Sequence, residues 1–155
     1  MTSALQAEIK QSRPFPRRAT EAMLSILRTA AVLEHQMDTA LRPHGITPTQ
    51  HNVLRILRGA GDGGLCGREI AERLVARVPD VPRLLERLEA MALITRERDS
   101  TDRRHVTARI TRAGLELLDR VMPDVDAVER ARLGHLGEPA LAALIRGLAA
   151  IRQGP

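Results

Sequence analysis

The residues of this sequence with the clearest chemical potential are its arginines. The chain has 23 Arg and one Lys, and six of the Arg lie between residues 95 and 114 among only three acidic residues. A guanidinium group presents five N–H donors in a planar fork that suits phosphate oxygens and the edge of guanine. Together with a net charge of +5, this local concentration indicates a polyanionic partner.

The single cysteine, Cys66, allows two interpretations. It falls at or just before the start of a predicted helix, where the helix N-terminus lowers a thiol pKa, so a redox-sensitive thiolate is one hypothesis. The other is a small buried hydrophobic residue, which is the commoner role of a lone cysteine. One cysteine excludes an intrachain disulfide, which agrees with a reducing compartment.

No pattern of side chains indicates catalysis or metal binding. The histidines, at positions 35, 44, 51, 105 and 135, lack HxxxH spacing, and there is no CxxC pair. Neither a Ser-His-Asp set, paired carboxylates nor a phosphate-binding loop emerges. The sequence therefore predicts no enzyme, no cofactor and no metal.

Aromatic side chains are nearly absent, since Phe15 is the only one. Domains that bind single strands or RNA stack bases on aromatic rings, and cages for cationic ligands need two or three rings, so both classes are excluded. The chain also lacks an apolar run long enough to cross a bilayer and a signal-peptide core. We therefore expect a cytoplasmic protein that does not bind membranes.

The elements that must position the arginines follow from hydrophobic periodicity. Two prolines within residues 1–18 predict an arm or a short separate element. Alternation around the turn at residues 99–102 predicts a two-stranded hairpin with charged arms. Helical spacing recurs in six segments that begin near residues 20, 48, 67, 80, 112 and 138.

Local signals sharpen several of these helices. Thr47, Pro48 and Gln50 form a capping-box pattern at the start of the second, and Pro123 predicts a bend in the fifth. The predicted buried residues of the fourth and fifth helices are Val81, Leu84, Leu85, Leu88, Met91, Leu115, Leu118, Val121, Met122 and Val125.

Short helices followed by a charged hairpin, between long apolar helices, form the order of a winged helix-turn-helix protein. The segment from Pro79 to Ile94, with Arg96 and Arg98 after it, resembles the recognition helix and wing of the MarR-type (multiple antibiotic resistance) regulators. The Asp102-Arg103-Arg104 tip and the exit from Ile110 to Gly114 follow at the spacing of that family. The resemblance spans residues 20–152, and the entry from Gly45 to Gln50 also matches.

The resemblance implies a mainly α fold with a small β-hairpin wing. Residues 1–18 would form an arm and residues 19–155 one domain, in which 46–114 are the winged helix-turn-helix and 19–42 and 115–152 the dimerisation helices. We expect Arg83 and the residues around it to lie in the major groove. Asp102 would orient Arg104, and the wing tip would reach the minor groove. The full set expected to contact DNA is Thr47, Thr49, Asp80, Val81, Pro82, Arg83, Asp102, Arg103 and Arg104.

The function that this implies is a homodimeric regulator of transcription that binds a pseudo-palindromic duplex, acts as a repressor and is released by a small molecule. Family members have a ligand crevice between the dimer helices and the DNA-reading region, which His51 and His35 could line. The alternative interpretation of His51, in which it binds no ligand, is a partly exposed residue on a helix. The alternative function is a ligand-binding or protein-interaction module with weakened DNA specificity.

Three residues qualify the resemblance. Pro82 removes an N–H donor from the groove-facing end of the fourth helix, which favours the alternative function. Ala92 replaces the usual Gly, so the helix exit must avoid a positive φ or be strained. Arg87, one turn beyond Arg83, is expected to pair with an acid rather than to contact DNA.

Overall fold

The computed structural model describes residues 3–98 and 106–154. All six predicted helices are present, and the N-terminal segment contains a short additional one. In chain order the helices are α1 Ala4–Glu8, α2 Arg18–Leu41, α3 Pro48–Ala60, α4 Gly67–Arg73, α5 Val81–Ala90, α6 Arg112–Leu133 and α7 Glu138–Gln153. Among the described residues, no helix combines the length and apolar character that crossing a bilayer requires.

The sheet has three antiparallel strands instead of the predicted two. Strand β1 is Leu65–Cys66, β2 is Ile94–Arg98 and β3 is Val106–Ile110, in the order β1-β3-β2. Leu65 pairs with Ala108, and Ile94 pairs with Ile110. A strand of two residues is too short to show alternation, so periodicity could not reveal β1.

A glycine allows β1 to approach β3. Gly64 has φ +65°, and a Cβ atom at this position would lie 2.5 Å from the Ala108 carbonyl oxygen. Only a residue without a side chain fits both the left-handed conformation and the close approach. The short strand therefore depends on the glycine that precedes it.

Side-chain caps begin helices α3 and α5. The Gln50 N–H donates to Thr47 Oγ1 at 3.2 Å, and the Thr47 N–H donates to Gln50 Oε1 at 2.9 Å, so the predicted capping box is confirmed. Asp80 Oδ1 accepts from the Arg83 N–H at 3.0 Å at the start of α5. Such caps satisfy N–H groups that have no partner within the helix.

The exit from α5 is strained at Ala92, the residue that stands where the family usually has a glycine. This residue has φ +59°, where its Cβ atom is crowded. The Ala92 N–H donates to Glu89 O at 2.8 Å and the Leu93 N–H to Leu88 O at 3.0 Å, which is the hydrogen-bond pattern of a Schellman motif. Thr111 Oγ1 donates to the Ala92 carbonyl at 2.7 Å and holds the turn from the other side.

The core lies between α3, α5, α6, the sheet and the C-terminal end of α2. Its fully buried side chains include Leu41, Val53, Leu54, Leu57, Ile70, Leu88, Ile94 and Val121. Predicted burial was wrong for Met91, Leu115 and Met122, which are 41%, 38% and 43% exposed. Met91 follows the last turn of α5, while α6 turns Leu117, Leu118, Val121 and Val125 inward.

Helices α2 and α7 are less buried than α3, α5 and α6. Helix α6 is continuous from Arg112 to Leu133 with Pro123 inside it, so the proline does not end the helix. In α2 only Leu41 is buried, and α7 buries no residue. Both helices therefore leave apolar side chains at the surface of the single chain.

Candidate nucleic-acid interface

The first turn of α5 is exposed on one side and anchored on the other. Asp80, Pro82 and Arg83 are exposed, whereas Val81 is 7% and Leu85 5% exposed and both pack in the core. The inclusion of Val81 among the groove-facing residues is therefore corrected: its side chain is used for packing. The Asp80 carboxylate caps the helix, and the Arg83 guanidinium forms no salt bridge with any residue that the structure describes.

Arg87 extends this exposed surface. It lies four residues after Arg83 and is also exposed, and within the described residues no acidic side chain forms a salt bridge with it. The expected acidic partner of Arg87 is thus not found in the part of the chain that the structure describes. Residues four apart lie on the same helix face, so α5 presents two guanidinium groups in a row.

Pro82 occupies the first turn of α5, where the backbone N–H groups have no acceptor within the helix. Helix α5 begins at Val81 and runs through Pro82 without interruption. The proline therefore costs the helix little, as its position predicts. It nevertheless removes one donor from the exposed end.

The two threonines at the start of α3 have different surroundings. Thr47 is exposed, and its hydroxyl is engaged in the capping box. Thr49 is partly buried and lines a cavity between α2, α3 and the turn that precedes α5. Sequence reasoning grouped both with the residues that contact DNA, while the structure gives them capping and lining positions.

The structure describes four of the six arginines between residues 95 and 114, and three of these four are paired with acids in the chain itself. Arg96 contacts Glu89 at 2.7 Å, Arg109 contacts Glu97 at 2.7 Å and Arg112 contacts Glu116 at 3.0 Å. Arg109 Nε also donates to the Asp62 carbonyl at 2.8 Å, which ties the sheet to the Gly61–Gly63 turn. Asp102, Arg103 and Arg104 lie outside the described residues.

His51 is buried, so its interpretation as a partly exposed residue is wrong. It is 7% exposed and lines a cavity of about 220 Å³ between α3 and α6. Burial lowers the pKa of His51 below its ordinary value, and the nearby Arg55 and Arg58 lower this pKa further. The lining residues are His51, Arg55, Arg58, Leu118, Met122, Val125, Asp126 and Glu129.

His35 lies in a different place. It is exposed on α2 and lines an open groove of about 620 Å³ between α2 and α6, together with Pro43 and Val128. His51 instead borders a second cavity of about 240 Å³ that it shares with Thr49. The structure therefore does not bring the two histidines into one site.

Cys66 is partly buried and directly precedes α4. Its backbone N–H donates to the Glu69 carboxylate at 2.8 Å. The residue lines a cavity of about 530 Å³ together with Arg68, Pro82 and Arg96. The position at the helix start agrees with the sequence, and the redox role of the thiol stays a prediction.

Within residues 3–98 and 106–154, no three His, Cys, Asp or Glu side chains are grouped as metal ligands.

This constellation matches that of known regulators. The model of the MarR family matches residues 44–105. A crystal structure of a MarR transcription factor from Planctomyces limnophilus is 32% identical, with a TM-score of 0.69 over 88% of this chain and 98% of that chain. The chain thus belongs to the MarR family of winged helix-turn-helix transcriptional regulators, which bind DNA and are not enzymes.

Two further relatives add to this comparison. The transcriptional regulator MhqR of Bacillus subtilis is 27% identical over 107 residues, which are 69% of this chain and 72% of MhqR. The MepR protein of S. aureus, solved as a complex with DNA, is 25% identical with a TM-score of 0.73, covering 90% of this chain and 98% of MepR. The likeness therefore includes the flanking helices as well as the DNA-reading region.

Proposed function

We propose that this protein is a homodimeric repressor that binds a pseudo-palindromic DNA sequence and is released by a small-molecule effector. The observation that supports DNA reading most directly is the exposed first turn of α5, with the Arg83 and Arg87 side chains on its outer face. Helices of this kind enter the major groove with their N-terminal residues at the base edges. Guanidinium groups there suit both phosphates and guanine.

The flanking helices support the dimer. Large apolar side chains are exposed on α2 and α7, namely Met23, Leu27, Leu144, Ile145 and Ile151 at 44% to 64%. Exposed apolar side chains in such number mark an interaction site when they form one patch, and a second copy would cover the patch with the same surface under two-fold symmetry. Such a dimer would place two copies of α5 about one helical turn of DNA apart.

The cavities around His51 support the effector. His51 joins a space between α3 and α6 to a space beside residues 74–76, the turn that leads into α5. A molecule bound there would contact both a flanking helix and the segment before the reading helix. Such a molecule could release the protein from DNA only if it bound more tightly to one arrangement of these two elements than to the other.

The test is selection of a duplex from random-sequence DNA, followed by binding at several salt concentrations. We expect Arg83→Ala to weaken binding of the selected duplex and to reduce the slope of log affinity against log salt by about 1. Arg120→Ala, which removes an exposed guanidinium from α6, serves as the control and should bind as the unmodified protein does. Failure to select any sequence would overturn the proposal.

Pro82 favours one second candidate, a ligand-binding module with weakened DNA specificity. Its missing N–H removes a donor that could contact a phosphate or a base at the exposed end of α5. Under this alternative the selected duplex and a mixed-sequence duplex would bind equally. Pro82→Ala would then increase the preference for one sequence.

A further inference from the structure

One ion pair joins the C-terminal half of α5 to strand β2. Glu89 Oε2 accepts from Arg96 Nε at 2.8 Å and lies 2.7 Å from Arg96 Nη2. Glu89 Oε1 also accepts from the backbone N–H of Arg96 at 3.1 Å. One carboxylate therefore holds both the main chain and the guanidinium of the same strand residue.

Both partners of this pair are partly shielded from solvent. The Arg96 side chain is 25% exposed and that of Glu89 38%, compared with 92% and 55% for Arg112 and Glu116 and with 35% and 70% for Arg109 and Glu97. The hydrogen bond from Arg96 holds the pKa of Glu89 below its ordinary value. Arg96 also lines a cavity that is bordered by Val81, Pro82 and Leu85 of α5, so it faces the first half of this helix across that space.

We infer that Arg96 and Glu89 form a clamp that sets the direction of the reading helix relative to the wing, and that Arg96 is a positioning residue and not a DNA contact. The inference rests on the DNA-binding function proposed above. Strand β2 runs from Ile94 to Arg98 and leads directly into the predicted wing tip. The clamp thus connects the two segments that would enter adjacent grooves, where small displacements reduce the number of simultaneous contacts.

The charges around the clamp explain why Arg96 is not available to DNA. Its guanidinium is taken up by Glu89, with Glu86 at 3.9 Å as a second acid. Arg83 and Arg87 have no such partner within the described residues, and both are exposed. Arginine alone therefore does not identify a DNA contact in this segment.

Neutralising Glu89 distinguishes a clamp from an acid that merely lies near DNA, because the two roles predict opposite changes in DNA affinity. If Glu89 were only an acid near DNA, Glu89→Gln would strengthen binding, because it removes repulsion from the phosphates. The clamp predicts the opposite, an affinity for the selected duplex about fivefold lower, since Arg96 and β2 lose their anchor. Binding of a mixed-sequence duplex should change less, so the preference for the selected sequence falls.

Arg96→Gln is expected to give a similar loss without changing the salt dependence, because no phosphate contact disappears. The double variant Glu89→Gln/Arg96→Gln should bind no worse than either single variant, since both remove the same interaction. The matched control is Arg112→Gln/Glu116→Gln, which removes an exposed pair within α6 and should leave affinity unchanged.

The outcomes separate the clamp from the proposed function. Circular dichroism will check that each variant is folded at the assay temperature. If Glu89→Gln is not folded, Arg96→Lys replaces it in the test. This substitution keeps the positive charge but loses the Nε donor, so the affinity for the selected duplex should fall to the same extent. If the unmodified protein selects a duplex but Glu89→Gln binds it equally or more tightly, or Arg96→Gln lowers the salt slope, the clamp is overturned. If the unmodified protein selects no duplex, the proposed function fails instead.

Discussion

Helices α3 and α7 have similar sequence patterns and opposite surroundings. Both have a proline in the first turn and apolar residues at helical spacing. Val53, Leu54 and Leu57 of α3 are completely buried against α2, α6 and the sheet, whereas α7 buries no residue and exposes Leu144 and Ile145. An amphipathic pattern predicts that a face will be covered, while the partner that covers it depends on the rest of the fold.

Helix α2 combines both situations along its length. Its last residue, Leu41, is fully buried in the core, whereas Met23 and Leu27 near its start are 56% and 59% exposed. The chain therefore divides into a reading region that is complete in one copy and a flanking region with an uncovered apolar surface.

A truncation in α3 should damage the fold most. Leu54→Ala removes a fully buried side chain, and such changes lower the free energy of unfolding by about 3 kcal/mol through lost burial and a residual cavity. Urea unfolding followed by circular dichroism measures the loss. The matched control is Leu144→Ala in α7, which should have a smaller effect at low protein concentration; equal losses at every concentration would contradict the division.

A charge in α7 should break the dimer instead of the fold. Ile145 is 64% exposed in one chain, and Ile145→Asp would place a carboxylate in the proposed dimer interface twice, once for each copy. We expect the dissociation constant measured by sedimentation equilibrium to rise at least about tenfold, with helix content retained. Gln153→Asp, near the end of the same helix, is the control, and dissociation by both variants would argue against this interface.

Relief of strain should stabilise the reading region alone. Ala92→Gly removes the crowded Cβ atom at φ +59° and should raise the free energy of unfolding by about 1 kcal/mol. Ala90→Gly, at the last residue of α5, should lower it, because glycine there only adds flexibility to the unfolded chain. Thermal unfolding compares the two, and a destabilising Ala92→Gly would show that the turn tolerates alanine without strain.

His51 lies where the two regions meet and should make stability weakly dependent on pH. Its pKa is lowered from 6.5 in the folded protein, so the unfolded chain binds the proton more readily. Stability from this residue is complete above about pH 6.5 and decreases as the pH falls below that value. His51→Gln should reduce this dependence, and Arg55→Gln should reduce it partly by raising the pKa of His51. An unchanged pH profile for His51→Gln would contradict the assignment.

Sequence reasoning predicted much of this protein because its strongest signals are local. The capping box at Thr47 and Gln50 spans four residues. At Ala92 the sequence left two possibilities for one residue, a helix exit without a positive φ or a strained one, and the residue has a positive φ. Strand β1 was missed because its two residues pair with residues about 40 positions away. Pairing at that separation leaves no local pattern.

The candidate site was less predictable than the fold. Sequence reasoning expected only a few of the arginines between residues 95 and 114 to contact DNA, but it could not identify the acids that pair with Arg96 and Arg109, which lie on neighbouring elements. It also expected an acid beside Arg87, which is exposed, and placed Val81 towards the groove, although Val81 packs in the core. Which charges remain free depends on side chains brought together by folding.

The order of the helices, the caps that begin several of them and the family motif in the recognition helix and wing could all be predicted from local sequence. These depend on residues within a few positions of one another, where backbone preferences and side-chain spacing act directly. The tertiary structure decided which apolar faces are covered, that His51 and His35 line different spaces, and that Glu89 anchors Arg96. Burial and charge pairing depend on distances in space, and only the packing of the helices against the sheet sets those distances.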